Sequence, residues 1–162
     1  MTQCILCNFK CEEDLCKRHK KLYVFDACLN GYRLKKRTSG SRYTQAKFHK
    51  TEITLTKILE KRYGKKNVIT SFHPLWAVST KGVLLEYDIY IKSKDILVEY
   101  NSIIHYEWTK FFHKTKLEFL QQQRRDKSKA RLAKKNGKKL IIFKYDEPLF
   151  KDYIINKIEG DK

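Results

Sequence analysis

The stretch "YDIYIKSKDILVEYN" (87–101) contains two short apolar segments joined by the polar turn 92–95, the pattern of a β-hairpin. Side chains two residues apart share a face of a strand, so Asp88 and Glu99 would lie side by side, with Glu86 further along that face. Like charges held this close repel unless a cation neutralises them. Carboxylate oxygens suit a hard divalent cation, so the stretch predicts a hairpin that holds a metal ion.

Helix and strand patterns alternate on both sides of this hairpin. The capping residues Gly64 and Gly137 end a predicted helix at 51–64 and a longer one at 115–137. Strands are predicted at 67–72, 83–91, 96–101 and 138–145, and a short helix follows the last of them. This order predicts an α/β fold in which helices flank a mixed sheet.

Each of the two longer helices carries an acidic residue on its apolar stripe. Glu52 shares a stripe with Phe48, Leu55 and Leu59, and Asp126 shares one with Phe119, Gln123, Ala130 and Ala133. A carboxylate that faces a core is costly unless it is paired, and either residue alone is compatible with an ordinary salt bridge. Both helices would nevertheless direct an acid at the sheet that carries Asp88, Glu99 and, just after them, His105.

The N-terminal segment has the spacing of a structural zinc site. Four of the five cysteines lie in "CILCNFKCEEDLCKRHK" (4–20), and two pairs with two intervening residues supply the predicted ligands Cys4, Cys7, Cys16 and His19. Cys11 could take the place of Cys16. The alternative is a set of unligated thiols. We favour zinc because so short a segment buries little core without a bound metal.

The chain carries 36 Lys and Arg against 18 Asp and Glu, a net charge of +18. The excess is concentrated in residues 1–50, with 12 basic and 4 acidic residues, and in 114–139, with 11 and 2. Such a field attracts nucleic acid, although a merely basic protein or a binder of anionic membranes is also compatible. The predicted DNA-binding residues are Arg33, Lys35, Lys36, Arg37, Arg124, Arg125 and Lys127.

The basic, Ser- and Gly-containing segment 33–47 reads as a linker or DNA-gripping arm, which places the expected domain boundary there. Residues 1–45 would form a zinc-binding module with this arm, and 46–162 a larger α/β domain. No apolar run approaches the ~20 residues of a membrane span, and no signal peptide is apparent, so a cytoplasmic protein is expected.

Taken together, these residues resemble the PD-(D/E)XK nuclease superfamily. The early helical glutamate, the hairpin segments "DIYI" and "VEYN", the histidine six residues later and "RDK" on the next helix are similar to its EDxHD branch. That branch contains the very-short-patch repair endonuclease and phage-type homing endonucleases. The similarity covers roughly residues 48–146. The sequence has Asn101 where the wider superfamily usually has a catalytic lysine, and in the EDxHD branch the histidine takes over that work.

The resemblance implies a restriction-endonuclease-like fold and hydrolysis of DNA phosphodiester bonds with Mg²⁺ or Mn²⁺. The implied catalytic residues are Glu52, Asp88, Glu99, His105 and Asp126. Of these, Asp88 and Glu99 would bind the metal. His105 would move a proton or stabilise charge, with Asp126 or Glu52 orienting it. Tyr106 and Trp108, just after His105, are candidates for contact with bases.

Double-stranded DNA is the expected substrate, and three alternatives stay open. The chain could be a non-catalytic DNA- or RNA-binding zinc protein on a nuclease-like fold, a mismatch-nicking nuclease or a junction-resolving nuclease. The oligomeric state is also open, since cutting both strands at one place is commonly the work of a dimer.

Overall fold

A computed structural model of the chain describes residues 2–7, 10–35 and 50–160, without the side chains of residues 2, 11 and 34. Its α-helices are α1 (Lys17–Leu22), α2 (Lys50–Tyr63), α3 (Lys116–Lys135) and α4 (Lys151–Glu159). Its strands are β1 (Thr2–Gln3), β2 (Lys10–Cys11), β3 (Tyr23–Asp26), β4 (Gly31–Leu34), β5 (Val68–Pro74), β6 (Tyr87–Ile91), β7 (Ile96–Asn101) and β8 (Lys139–Lys144).

The main sheet has six strands in the order β3-β4-β5-β6-β7-β8, and β1 and β2 form a separate small ladder. Neighbouring strands of the main sheet are antiparallel up to β7, and β8 then pairs with β7 in parallel. A parallel neighbour requires a crossover, which α3 supplies between these two strands. The predicted α/β fold with a mixed sheet flanked by helices is therefore confirmed. None of the helices in the described ranges is long and apolar enough to cross a membrane.

The sheet is covered on both faces. On one face, α2 and α4 bury Leu55, Leu59, Ile154 and Ile158 against the sheet residues Val68, Ile89, Ile91, Ile96, Val98, Ile141 and Phe143. On the other, Ala133 of α3 packs with Phe72, Ala77, Leu85, Tyr87, Tyr90 and Leu97. The alternation expected of a strand holds along β7 but not at the start of β6, where Tyr87 and Ile89 lie two residues apart yet belong to different clusters. Tyr87 packs under α3 instead, and its hydroxyl donates to the Lys129 carbonyl at 2.9 Å.

The predicted ends of the two longer helices agree with the structure to within two residues. Gly64 and Gly137 follow α2 and α3 with φ of +87° and +67°, left-handed values that glycine adopts without strain. At the start of α3, the Thr115 hydroxyl accepts a hydrogen bond from the backbone N–H of Glu118 at 3.2 Å. This cap begins the helix where the sequence predicts it.

The sequence did not reveal β3 and β4, which join the main sheet through β5. Gly31 pairs with Pro74 and Tyr32 with His73. A Cβ at Gly31 would lie 2.7 Å from the His73 carbonyl oxygen, so this close approach requires glycine. The expected boundary at residue 45 lies outside the described residues, and strands from both sides of it share one sheet.

The predicted strand 83–91 begins later than expected, at Tyr87. The segment before it leaves the sheet because its backbone N–H groups have other partners. The Leu84 N–H donates to the Ile5 carbonyl, and the Leu85 N–H donates to the Ala77 carbonyl, both at 2.7 Å.

Candidate active site and metal centre

Asp88 and Glu99 face each other where the β6–β7 ladder ends. The last ladder pair is Ile89 with Val98, so the next positions along the strands are those of the two acids. Each carboxylate binds the opposite strand: Oε1 of Glu99 accepts the Asp88 N–H at 3.2 Å, and Oδ2 of Asp88 accepts the Tyr100 N–H at 2.8 Å. The hairpin thus holds the two side chains in fixed positions, as its alternation predicts.

A third charged group, Lys129 of α3, completes this cluster. Its Nζ donates to Oε2 of Glu99 at 2.6 Å and lies 5.5 Å from the centre of the Tyr87 ring. The side chains of Lys129 and Glu99 are 13% and 6% exposed, so the ion pair is largely shielded from water. The prediction that Ala130 faces the sheet was wrong, because Ala130 is exposed and Lys129 is the inward neighbour of Asp126 and Ala133. This helix carries many lysines. The only feature of the sequence that singles out Lys129 is its spacing from Asp126 and Ala133, which places the three residues on one face of the helix.

The cluster contains two acids and one base, and the pKa values reflect the imbalance. Burial raises the pKa of Glu99 to about 8, with the Asp88 charge adding to the effect and Lys129 opposing it. Burial also raises the pKa of Asp88. Burial alone would lower the pKa of Lys129, but the Glu99 and Asp88 carboxylates raise it above its ordinary value, so the ammonium stays charged. A proton or a cation is needed to neutralise the excess negative charge.

His105 and Asp126 form a second pair. The 3-10 helix Ile103–His105 follows β7 and brings Nδ1 of His105 to 2.9 Å from Oδ2 of Asp126 on α3. Because Asp126 holds Nδ1, the other ring nitrogen, Nε2, is the atom through which His105 would exchange a proton. Asp126 and Lys129 are three residues apart on one helix, so α3 contributes to both pairs.

The remaining predicted acids, Glu52 and Glu86, have different surroundings. Glu52 is half-buried in the first turn of α2, the helix on the opposite face of the sheet from α3. Glu86 accepts a hydrogen bond from the Tyr23 hydroxyl at 3.3 Å, and its Oε2 lies 3.1 Å from Nε2 of buried His73. Glu86 therefore contacts β3 and β5, and its charge adds to the rise in the pKa of Asp88.

The predicted DNA-binding residues occupy unlike positions. Arg124, Arg125 and Lys127 are exposed on α3. Arg33 forms a half-buried ion pair, its Nε donating to Oδ2 of Asp26 at 2.8 Å. Lys35 donates to the carbonyl of Lys20 at 2.6 Å. Lys36 and Arg37 lie outside the described residues.

The four predicted zinc ligands come together at the N-terminus. The ligand atoms of Cys4, Cys7, Cys16 and His19 all lie within 4.8 Å of one another. Nδ1 of His19 is 3.2 Å from Sγ of Cys4 and 3.4 Å from Sγ of Cys16, and Sγ of Cys7 is 3.9 Å from Sγ of Cys16. Ligands of a tetrahedral zinc are separated by about 3.5–3.8 Å, so the group could bind a metal such as zinc. The Cys11 side chain lies outside the described residues.

This group is the one set of three or more Cys, His, Asp or Glu side chains that could hold a metal within the described ranges. The turn carrying Cys4 and Cys7 follows β1, and Cys16 and His19 belong to the start of α1. Burial raises the pKa of the Cys16 thiol, but hydrogen bonds, chiefly from the His19 N–H and the neighbouring thiols, outweigh it and leave the pKa below its ordinary value. A lowered thiol pKa favours the thiolate that binds zinc.

The segment that carries the candidate zinc ligands packs directly against the chain that leads to Asp88. Cys4, Leu15, Cys16, Tyr23, Tyr32 and Leu84 form one buried cluster. The Leu84 N–H donates to the Ile5 carbonyl, and two residues later Glu86 binds Tyr23, whose ring lies edge-on to His19 with centroids 5.8 Å apart. The candidate zinc centre therefore supports the segment that enters β6.

Comparison with known proteins gives one sequence relationship. Over 75 residues the chain is 37% identical to "Uncharacterized protein 307L" of Invertebrate iridescent virus 6. The match covers 46% of this chain and 38% of the viral protein, so the chain spans well under half of that relative's length. No family model matches the chain. No solved structure matches it either.

Proposed function

We propose that this protein is a metal-dependent endonuclease that hydrolyses phosphodiester bonds of DNA. The observation that carries the proposal is the cluster of Asp88, Glu99 and Lys129, together with the His105–Asp126 pair, whose Asp126 lies on the same helix as Lys129. The order of helix, three antiparallel strands, helix and parallel strand supports a restriction-endonuclease-like arrangement. The net charge of +18 supports a polyanionic substrate.

The donor set fits Mg²⁺ or Mn²⁺. Asp88 and Glu99 are two carboxylates with raised pKa values, and Mg²⁺ is commonly bound by one or two carboxylates together with water and substrate phosphate. A divalent ion held there would polarise the phosphate and lower the pKa of a bound water. The same ion would replace the proton that Glu99 otherwise retains.

The protein's own groups would supply the rest of the chemistry. Lys129 contacts Glu99 and would supply a positive charge where the sequence has Asn101 instead of the usual lysine. That charge would stabilise negative charge developing on the phosphate. His105, oriented by Asp126, would exchange a proton through Nε2. Exposed Arg124, Arg125 and Lys127 would contact neighbouring phosphates.

A cleavage assay tests this proposal. Purified protein is incubated with plasmid DNA, branched DNA, mismatched duplex and RNA, with and without added Mg²⁺. Omitting Mg²⁺ is preferable to adding a chelator, which would also remove zinc. We expect Mg²⁺-dependent cutting of DNA that is absent in Asp88→Ala. Preference for mismatched or branched DNA would identify a nicking or junction-resolving nuclease. Tight binding without cutting would identify a non-catalytic protein instead.

A further inference from the structure

The loop 106–115, between His105 and α3, has its apolar side chains outside. Phe111 is 88% exposed and Phe112 56% exposed, and their rings meet edge-to-face with centroids 4.8 Å apart. Two adjacent phenylalanines exposed to this extent leave apolar surface in water, which costs free energy in the unbound protein.

The same loop has polar atoms inside that lack partners. Nε1 of Trp108, Oγ1 of Thr109 and Nδ1 of His113 are buried without hydrogen bonds, three of the six such side-chain atoms in the part of the chain described. Buried polar groups are normally paired, and each exception calls for an explanation such as a bound water or ion or a functional role. The loop therefore combines exposed aromatic rings with unpaired buried polar atoms, two features that a connection selected only for stability would not need.

The loop is nevertheless anchored. The His113 N–H donates to the Thr109 carbonyl at 2.9 Å, and Nε2 of His113 lies 3.2 Å from Oε1 of Gln122 on α3. The buried His113 ring also packs edge-on against Phe119, with centroids 5.2 Å apart. The residue that follows Phe112 is thus fixed to α3, which holds the two phenylalanines in a defined outward position.

Three lysines flank the two phenylalanines in the chain. Lys110, Lys114 and Lys116 are exposed, and Nζ of Lys116 lies 5.6 Å from the centre of the Trp108 ring. Aromatic faces set among cations are the combination that binds single-stranded nucleic acid, where bases stack on the rings and phosphates meet the cations. Tyr106, the other aromatic candidate for base contact near His105, lies with its ring centroid 6.0 Å from that of Tyr145.

We propose that Phe111 and Phe112 form a stacking platform for unpaired or unstacked bases of DNA. This inference rests on the proposed function and adds a preference for distorted or single-stranded substrate. The loop follows His105 directly, so the platform would engage bases close to the phosphodiester bond that is cut. Paired bases in an intact duplex stack on one another and would gain little from it.

The test measures binding of the full-length protein, without added Mg²⁺, to a gapped duplex that carries 2-aminopurine in the gap. Stacking on an aromatic ring changes 2-aminopurine fluorescence. We expect the double variant Phe111→Ala, Phe112→Ala to lose the fluorescence change and about 10- to 100-fold of its affinity for gapped DNA. Its affinity for intact duplex should change by less than about threefold. Phe111→Trp, which keeps a stacking ring, should bind like the wild type.

Phe150→Ala is the matched control, because Phe150 is 59% exposed but precedes α4 rather than α3. It should leave binding unchanged. Equal affinity and fluorescence in the wild type and the double variant would overturn the platform while leaving the nuclease proposal intact. If the wild-type protein binds no DNA, both the stacking platform and the nuclease proposal are wrong. If the double variant instead loses binding to anionic vesicles and keeps binding to gapped DNA, the loop is a membrane contact and the inference is wrong.

Discussion

Nζ of Lys129 lies 2.6 Å from Oε2 of Glu99, and both side chains are almost fully buried. An ion pair in this position is not an efficient way to stabilise a fold, since desolvating both charges offsets most of their attraction. The neighbouring Asp88 leaves the cluster with one more acid than base, which is costly unless a proton or cation is bound. We interpret the cluster as a functional site, because it does not stabilise the fold efficiently.

Replacement of Lys129 is expected to abolish efficient cleavage. Lys129→Met should lower kcat by about 10²-fold or more, because it removes a charge placed to stabilise the transition state. Lys129→Arg should retain part of the rate. Lys127→Met is the matched control: it lies on the same helix but is exposed, and should weaken DNA binding slightly without changing kcat. A folded Lys129→Met protein that cuts at the wild-type rate would contradict this role.

The stability of the protein without divalent cations should fall as the pH rises. The pKa of Glu99 is about 8 in the folded protein and 4.5 ordinarily, so protonation of Glu99 stabilises the folded state. This stabilisation is complete below pH 4.5. That contribution is lost as the pH rises through 8. Thermal unfolding monitored by fluorescence should show Tm declining across this range, and added Mg²⁺ should restore it at the alkaline end. Glu99→Gln should show a much smaller decline, and an equal decline in both proteins would refute the assignment.

The His105–Asp126 pair should affect cleavage more than binding. His105→Ala is expected to lower kcat by about 10²-fold or more, as for loss of a general acid or base. Asp126→Asn keeps the shape of the side chain but holds the His105 ring less firmly in its orientation. A loss of roughly 10- to 100-fold in kcat is expected. Affinity for DNA, measured without Mg²⁺, should change little in either variant. A large loss of affinity with unchanged kcat would mean that the pair serves DNA binding instead.

Asp88→Ala should abolish cleavage and leave DNA binding intact, because it removes a metal-binding carboxylate and no phosphate contact. Glu86→Ala provides the comparison, since Glu86 lies just before the same strand and contacts Tyr23 and His73. Its effect on kcat should be smaller. Circular dichroism checks that both variants fold. Wild-type cutting by folded Asp88→Ala would show that the hairpin holds no catalytic metal.

Zinc binding should stabilise the segment that enters β6. Elemental analysis should find about one zinc per chain in the wild type and none in Cys7→Ser. Because Ile5 and Tyr23 contact Leu84 and Glu86, the variant should also lose cleavage activity. Cys28→Ser is the control, since Cys28 is exposed and outside the ligand group. Full cleavage activity in zinc-free protein would show that the nuclease site does not depend on the zinc site.

Salt dependence should report the contribution of α3 to DNA binding. Each phosphate contact that is lost should flatten the log–log slope of affinity against salt by about one. Replacing Arg124, Arg125 and Lys127 by Gln should therefore reduce the slope, whereas Lys61→Gln on α2 should not. An unchanged slope in the triple variant would place the DNA-binding surface elsewhere.

Local patterns in the sequence were sufficient for the hairpin and the zinc ligands. The alternation in 96–101, the turn at 92–95 and the strand period place Asp88 opposite Glu99, because a short turn sets the register between its strands. The two-residue spacings bring each pair of candidate zinc ligands onto a single turn, so Cys4, Cys7 and His19 could be predicted from the sequence, whereas the choice between Cys16 and Cys11 stayed open.

Only the tertiary structure decided which residues from distant segments meet these local units. Lys129 is one of many lysines on α3, and it pairs with Glu99 because the parallel crossover between β7 and β8 sets the rotation of the helix over the sheet. Leu84 leaves the predicted strand because Ile5, far away in the chain, accepts its N–H. Local periodicity carries no information about such long-range partners, since they depend on how whole elements pack.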